Sequence, residues 1–202
     1  MEAFLQSFLM GMHTLARQLA PMVSEALDLS PRHRFLDLGG GPGTYAIHFC
    51  TKNPGLRATV FDLPTTRPFA EETIEKAGLA DRIDFLAGSY LEDTISGAYD
   101  VAWLSQILHG EGPDNCRLII EKAVSVLEPG GMIVVHEFLL EDSRDGPLFP
   151  ALFSLNMLLA TTDGQAYAEG EIREMLAGAG VKEIRRLPFR GPNNSGLIVG
   201  TR

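Results

Sequence analysis

The fold class this sequence predicts is a doubly wound α/β sheet, preceded by an amphipathic helix and ending in a reversed strand. Three observations carry it. Short apolar runs alternate with helical patterns from residue 34 to residue 139. Several of these runs are apolar without interruption, so both faces of the sheet need covers, as parallel sheets have. The chain then closes on two strand-like runs with no helix between them, which pair as an antiparallel hairpin.

The elements follow in order. Phe4, Phe8, Met12, Leu15, Leu19 and Met22 recur at helical spacing, predicting a helix whose apolar face needs a partner. Pro21 is expected to kink or split it, and Asp28-Leu29-Ser30-Pro31 to end the segment. Strands are expected at residues 34–38, 57–62, 83–87, 99–104 and 132–139, with helices at 43–51, 65–76 and 114–127 between them. Pro129-Gly130-Gly131 is the stop signal that leads into the fifth strand. Helical patterns at 149–160 and 169–179 precede strands at 182–187 and 195–201, joined by the turn formers of 188–194.

At about 150 residues per domain, 202 residues favour one domain, placed at 31–202 behind a helical extension at 1–30. That length buries a core without disulfides or metals. A hydrophobic content of 45% argues against disorder, collagen and coiled coil. The net charge of −9, with no Lys/Arg run, repels phosphate backbones and argues against nucleic acid as the main partner. Cys50 and Cys116 stand alone, which suits a reducing compartment and excludes a CxxC metal site. No apolar stretch approaches the ~18 residues of a membrane span. The apolar start carries Glu2, lacks a basic n-region and is broken at His13 and Arg17, unlike a signal peptide. The expectation is a cytoplasmic protein.

Phe35-Leu36-Asp37-Leu38-Gly39-Gly40-Gly41-Pro42-Gly43 runs from the first strand into a helix. The carboxyl end of that strand borders the ligand crevice of a doubly wound sheet, and glycines let a ligand approach the backbone. Residues 41–46 fit the GxGxxA pattern of dinucleotide sites, and Asp62, at the end of the second strand, suits a ribose or a helix cap. Asp37 places negative charge where a pyrophosphate would otherwise lie; it suits an ammonium and a sulfonium, or simply holds loop N–H groups.

The segments FLDLGGGPGT, FDLP, Ala87-Gly88-Ser89-Tyr90, SQILH (105–109) and LEPGGMIVVHEFLL (127–140) occur in the order seen in S-adenosylmethionine-dependent O-methyltransferases. Over residues 4–200 the chain resembles the class I branch that contains plant caffeate and flavonoid O-methyltransferases and their bacterial relatives. The resemblance implies a seven-stranded Rossmann-like sheet with its last strand reversed. It implies that Asp62 holds the ribose, Leu63 lies against the adenine, and Gly39 and Gly41 line the methionine part. Ser89 and Tyr90 fall at the adenine contact, where the family usually has Asp and a bulky residue. Ser105 stands where the plant enzymes have Lys. His109 matches the family's general base and Glu137 the acid that orients it; the second flanking Glu falls on Ala166. Met157 matches a Met packed against the aromatic acceptor, while Thr161 replaces an Asn and Gln106 an aromatic residue. Family members usually carry an upstream winged-helix domain that makes an intertwined dimer and closes over the acceptor. This chain begins just before the catalytic domain, and its first helix either folds back or pairs two copies as a homodimer.

The chemistry so implied is an in-line methyl transfer to a hydroxyl of a small-molecule acceptor. A phenol of pKa near 10 would lose its proton to His109, of pKa near 6.5, during transfer. No metal is needed, and no His/Asp/Glu cluster in the sequence suggests one. Two rivals stay open: a nicotinamide-dependent oxidoreductase, from GxGxxA with Asp62, and a cofactor-binding module without catalysis, from Ser89, Ser105 and Ala166.

Overall fold

In the computed structural model, which describes residues 2–202, seven strands form one sheet in the order β3-β2-β1-β4-β5-β7-β6. Met1, the first residue of the expected extension, lies outside the described residues. Strands β1 (Arg34–Leu38), β2 (Arg57–Asp62), β3 (Ile83–Ala87), β4 (Tyr99–Ser105) and β5 (Leu127–Phe138) are parallel. β7 (Ser195–Thr201) runs antiparallel to both of its neighbours, β5 and β6 (Lys182–Arg186). The tail is therefore the expected hairpin, but its second strand lies inside the sheet and its first at the edge. Composition explains this order: SGLIVGT is buried at every position but the last, whereas KEIRR is exposed at all but Ile184. Charged side chains on an edge strand also deter further pairing.

Helices α1 (Glu2–Ala26), α2 (Thr44–Lys52) and α3 (Arg67–Lys76) cover one face, with Val23, Leu27, Phe49 and Ile74 packed on Phe35, Val101 and Trp103. Helices α4 (Pro113–Ser125) and α6 (Glu169–Gly178) cover the other, where Ile119, Ile120 and Leu176 join Leu36, Leu38 and Leu104. Period-2 alternation along β1 thus sends Phe35 and Asp37 to the first face and Leu36 and Leu38 to the second. Helix α5 (Leu148–Ala160) buries only Pro150.

Three expectations change. Pro21 does not split the first helix, which runs through it to Ala26. The stripe Phe4, Phe8, Met12, Leu15 and Met22 is exposed; the helix docks through Leu9, Ala16, Ala20, Val23 and Leu27 instead. Both stripes have helical spacing, and the buried one is rich in alanine, whose small side chain lets α1 approach α2 closely. Finally, Pro129-Gly130-Gly131 lies within β5, not before it. Tyr99 pairs with Leu127 but Val101 with Met132, so these residues form a bulge, which Gly130 accommodates at φ +79°.

Candidate active site

The carboxyl ends of β1, β2 and β4 meet at one crevice. Gly39 leaves β1 at φ +66°, where an added Cβ would lie 2.7 Å from Ile107 Cγ2, so only glycine fits. Gly41, at φ +54°, faces open space; the nearest atom to an added Cβ is Leu9 Cδ2, 4.0 Å away on α1. A side chain at 41 would fill the space along the loop that its absence leaves for a ligand.

Asp62 ties this loop down. Its Oδ2 accepts the Gly41 N–H at 2.8 Å, while Oδ1 accepts the Leu63 N–H at 2.7 Å and the Thr66 hydroxyl at 3.1 Å. It therefore acts as both a loop anchor and a cap ahead of α3, with Leu63 exposed beside it. Asp37 is 1% exposed and accepts the Ala46 N–H at 3.2 Å. Burial pushes its carboxyl up to about 7, the Ala46 hydrogen bond acts against that, and the charge of Asp62 adds to it. Two carboxylates that feel each other across the loop repel a pyrophosphate and favour a cation with a ribose, so the donor set fits S-adenosylmethionine better than a dinucleotide.

Ser89 follows β3. Its hydroxyl accepts the Leu91 and Glu92 N–H groups, both at 3.3 Å, so it closes a turn. Tyr90 donates to Glu111 Oε1 at 3.2 Å, and burial pushes its phenol well above the ordinary range. Ser105, at the end of β4, pairs with His136 Nδ1 at 2.9 Å. Gln106 has φ +59°, and its buried amide nitrogen has no partner. The Thr161 hydroxyl donates to the Met157 carbonyl at 2.8 Å and accepts the Gly164 N–H at 2.8 Å. That hydroxyl is thus spent on closing α5, while Met157 is half-buried on the same helix.

His109 sits in a short 3₁₀ turn, Leu108–Gly110, just after β4. Its Nδ1 lies 2.8 Å from Glu137 Oε2, and Glu137 Oε1 accepts the Leu108 N–H at 2.9 Å. The Glu137 side chain is 3% exposed and that of His109 16%. Burial alone would lower the imidazole, but the charge of Glu137 and its hydrogen bond outweigh burial and hold His109 above its ordinary value. Alternation along β5 sends His136 to the opposite face, where burial pushes it down to about 4.

Three phenylalanines that sequence reasoning did not single out surround the base. Phe153 meets the imidazole edge to face at 4.8 Å, Phe138 stacks near it at 6.3 Å, and Phe149 packs on Phe138 at 5.0 Å. The four-residue spacing of Phe149, Phe153 and Met157 was the available signal, since it puts all three on one side of α5. Among the described residues no cluster of three or more His, Cys, Asp or Glu side chains could hold a metal ion. Nor is any helix among them long and apolar enough to cross a membrane.

A Rossmann-like sheet with acids at its glycine loop and a His–Glu pair across the crevice defines a methyltransferase-type domain. Residues 1–182 match the O-methyltransferase domain family, and the chain belongs to that family. It is 34% identical over 197 residues to 3-hydroxy-5-methyl-1-naphthoate 3-O-methyltransferase of Streptomyces sahachiroi, covering 98% of this chain and 57% of that protein. It is 30% identical over 200 residues to L-tyrosine C(3)-methyltransferase of Streptomyces lavendulae, covering 98% and 55%. The crystal structure of human N-acetylserotonin methyltransferase in complex with SAM superposes with a TM-score of 0.89 at 29% identity, covering 100% of this chain and 56% of that one. The chain thus spans little more than half the length of these relatives.

Proposed function

We propose that this chain binds S-adenosylmethionine and transfers its methyl group to a hydroxyl on a small aromatic acceptor, with His109 as general base. The observation that carries the reading is the His109–Glu137 pair. Glu137 accepts the Nδ1 proton, which leaves the Nε2 lone pair of the neutral ring for an acceptor hydroxyl. The bound cofactor supplies a methyl group on a positively charged sulfur, open to attack by an oxygen nucleophile in line. Gly39 and Gly41 give the cofactor access to the backbone, Asp62 holds its ribose, and Asp37 faces its cationic end. Leu63, Ser89 and Tyr90 border the adenine, and Ser105 the amino-acid end. Phe138, Phe149, Phe153, Gln106, Met157 and Thr161 line the acceptor side, where an aromatic ring has aromatic neighbours. Glu137 stabilises the imidazolium that forms as His109 takes the phenolic proton. Most of the acceleration comes from alignment, within about 3–3.5 Å, of the two reacting atoms.

The naphthoate methyltransferase supports an aromatic hydroxyl as acceptor. The tyrosine C(3)-methyltransferase supports a second reading, because a phenol deprotonated by His109 is nucleophilic at its ortho carbon as well as at oxygen. Two lone, buried cysteines support a reducing, cytoplasmic setting. Residues 1–30 serve as a helical extension of the 31–202 domain, and the exposed apolar stripe of α1 supports a homodimer. The test is calorimetric titration with S-adenosylmethionine and S-adenosylhomocysteine, followed by methyl transfer to a panel of phenols with the product resolved by NMR. A methoxy signal supports the reading and a ring methyl the second one. Binding without turnover leaves a cofactor-binding module, and no binding sinks all three.

A further inference from the structure

A buried polar layer lies beneath the glycine loop and takes no part in the proton transfer above. Its members come from three elements: Tyr45 on α2, Ser105 at the end of β4 and His136 on β5. Ser105 Oγ is 2.9 Å from His136 Nδ1, and the Tyr45 ring stands edge-on to that imidazole at 6.0 Å. Trp103 closes the layer, its ring 4.9 Å from Tyr45 and 5.7 Å from His136. His136 is fully buried, and neither its Nε2 nor the Trp103 indole nitrogen has a partner.

Those unpartnered atoms fix where the hydrogens lie. A buried N–H with no acceptor is the rarer and costlier defect, so the proton of a neutral His136 belongs on Nδ1, with Nε2 left bare. Nδ1–H then donates to Ser105 Oγ. The one hydrogen of Ser105 is left to point away from the layer. Ser105 is the only one of these three groups that is not buried, and it ends its strand at the crevice.

Strand order says what lies there. Asp62 ends β2 and Ser89 follows β3, on one side of β1, and Ser105 ends β4 on the other. A cofactor with its ribose at Asp62 and its adenine toward β3 carries its amino-acid end across the loop to Ser105. We propose that His136 is a positioning residue that makes the Ser105 hydroxyl a dedicated hydrogen-bond donor to the carboxylate of that end. The proposal rests on the S-adenosylmethionine reading above and extends it to one residue outside the crevice. With Asp37 as acceptor for the ammonium, the loop presents one acceptor and one donor to a zwitterion.

Calorimetry with S-adenosylhomocysteine and 5′-methylthioadenosine, which lacks the amino-acid end, tests this. Ser105→Ala is expected to weaken the first about tenfold and leave the second unchanged. His136→Phe weakens only the first, and adding it to Ser105→Ala costs nothing further. In the unaltered protein, nitrogen-15 spectra of histidine should show one imidazole fixed as the Nδ1–H tautomer, a readout that does not depend on how the variants fold. An Nε2–H tautomer at His136, unchanged S-adenosylhomocysteine binding in Ser105→Ala, or equal weakening of both ligands overturns the proposal alone. Failure of the unaltered chain to bind either ligand overturns the cofactor reading as well.

Discussion

The two walls of the crevice are built differently. On the cofactor side, Asp37 and Asp62 hold backbone N–H groups of the loop and helix they face, and glycines with positive φ set the surface. On the acceptor side, the His109–Glu137 pair is the polar anchor, and around it stand Phe138, Phe149 and Phe153. Helix α5, which carries two of those rings, leaves Leu148, Leu152, Leu155, Leu158 and Leu159 exposed on its outer side. The first wall is specified by short-range hydrogen bonds that any member of the chemistry needs. The second is specified by apolar packing, which holds shape without naming a ligand. On the proposed reading, cofactor recognition belongs to the first wall and acceptor choice to the second.

The sharpest way to separate the walls is His109→Ala. Turnover with a phenolic acceptor should fall about 10²–10⁴-fold while the Kd for S-adenosylhomocysteine stays put, as kinetics and calorimetry on one preparation would show. Because Glu137 holds His109 above its ordinary 6.5, turnover in the unaltered chain should rise with pH through a midpoint above that value. Asp62→Ala gives the converse. Losing the anchor of Gly41 should weaken S-adenosylhomocysteine by about 10–100-fold, and an unchanged Kd would mean that the carboxylate serves the loop alone.

A smaller effect tests the charge under the loop. Asp37, raised to about 7 in the folded chain against an ordinary 3.8, lends stability below the lower value and loses it as pH climbs through the upper. Asp37→Asn carries no such penalty. It should melt about 4–8 °C higher than the unaltered chain at pH 8 and no higher at pH 3, by thermal unfolding in both buffers. The smallest effect belongs to the apolar wall: Phe153→Leu should raise the acceptor KM by about 2–10-fold and leave cofactor binding alone. If it instead abolished cofactor binding, the walls would not be separable.

The same contrast explains what the sequence discloses. The strands, the glycine loop, Asp62 and the pairing of His109 with Glu137 are legible because each rests on a local pattern or on a motif in fixed order. The docking face of α1 is not, since two stripes share one periodicity and only the position of α2 decides between them. Phe153 is hidden for a related reason: in LFPALFSLNMLLA nearly every residue is apolar, so no stripe stands out. Tyr45, Ser105 and His136 are far apart in the chain and converge only when β5 is laid beside β4.

The reversal of β7 has a practical side. The parallel strands all end at the crevice, but this one runs the other way and carries Arg202 to the opposite rim. There the Arg202 N–H donates to the Gly131 carbonyl at 2.9 Å and its side chain reaches the Ser125 carbonyl at 3.3 Å. An affinity handle or a surface tether attached after Arg202 would hold the molecule by its floor, with the mouth turned outward and unobstructed.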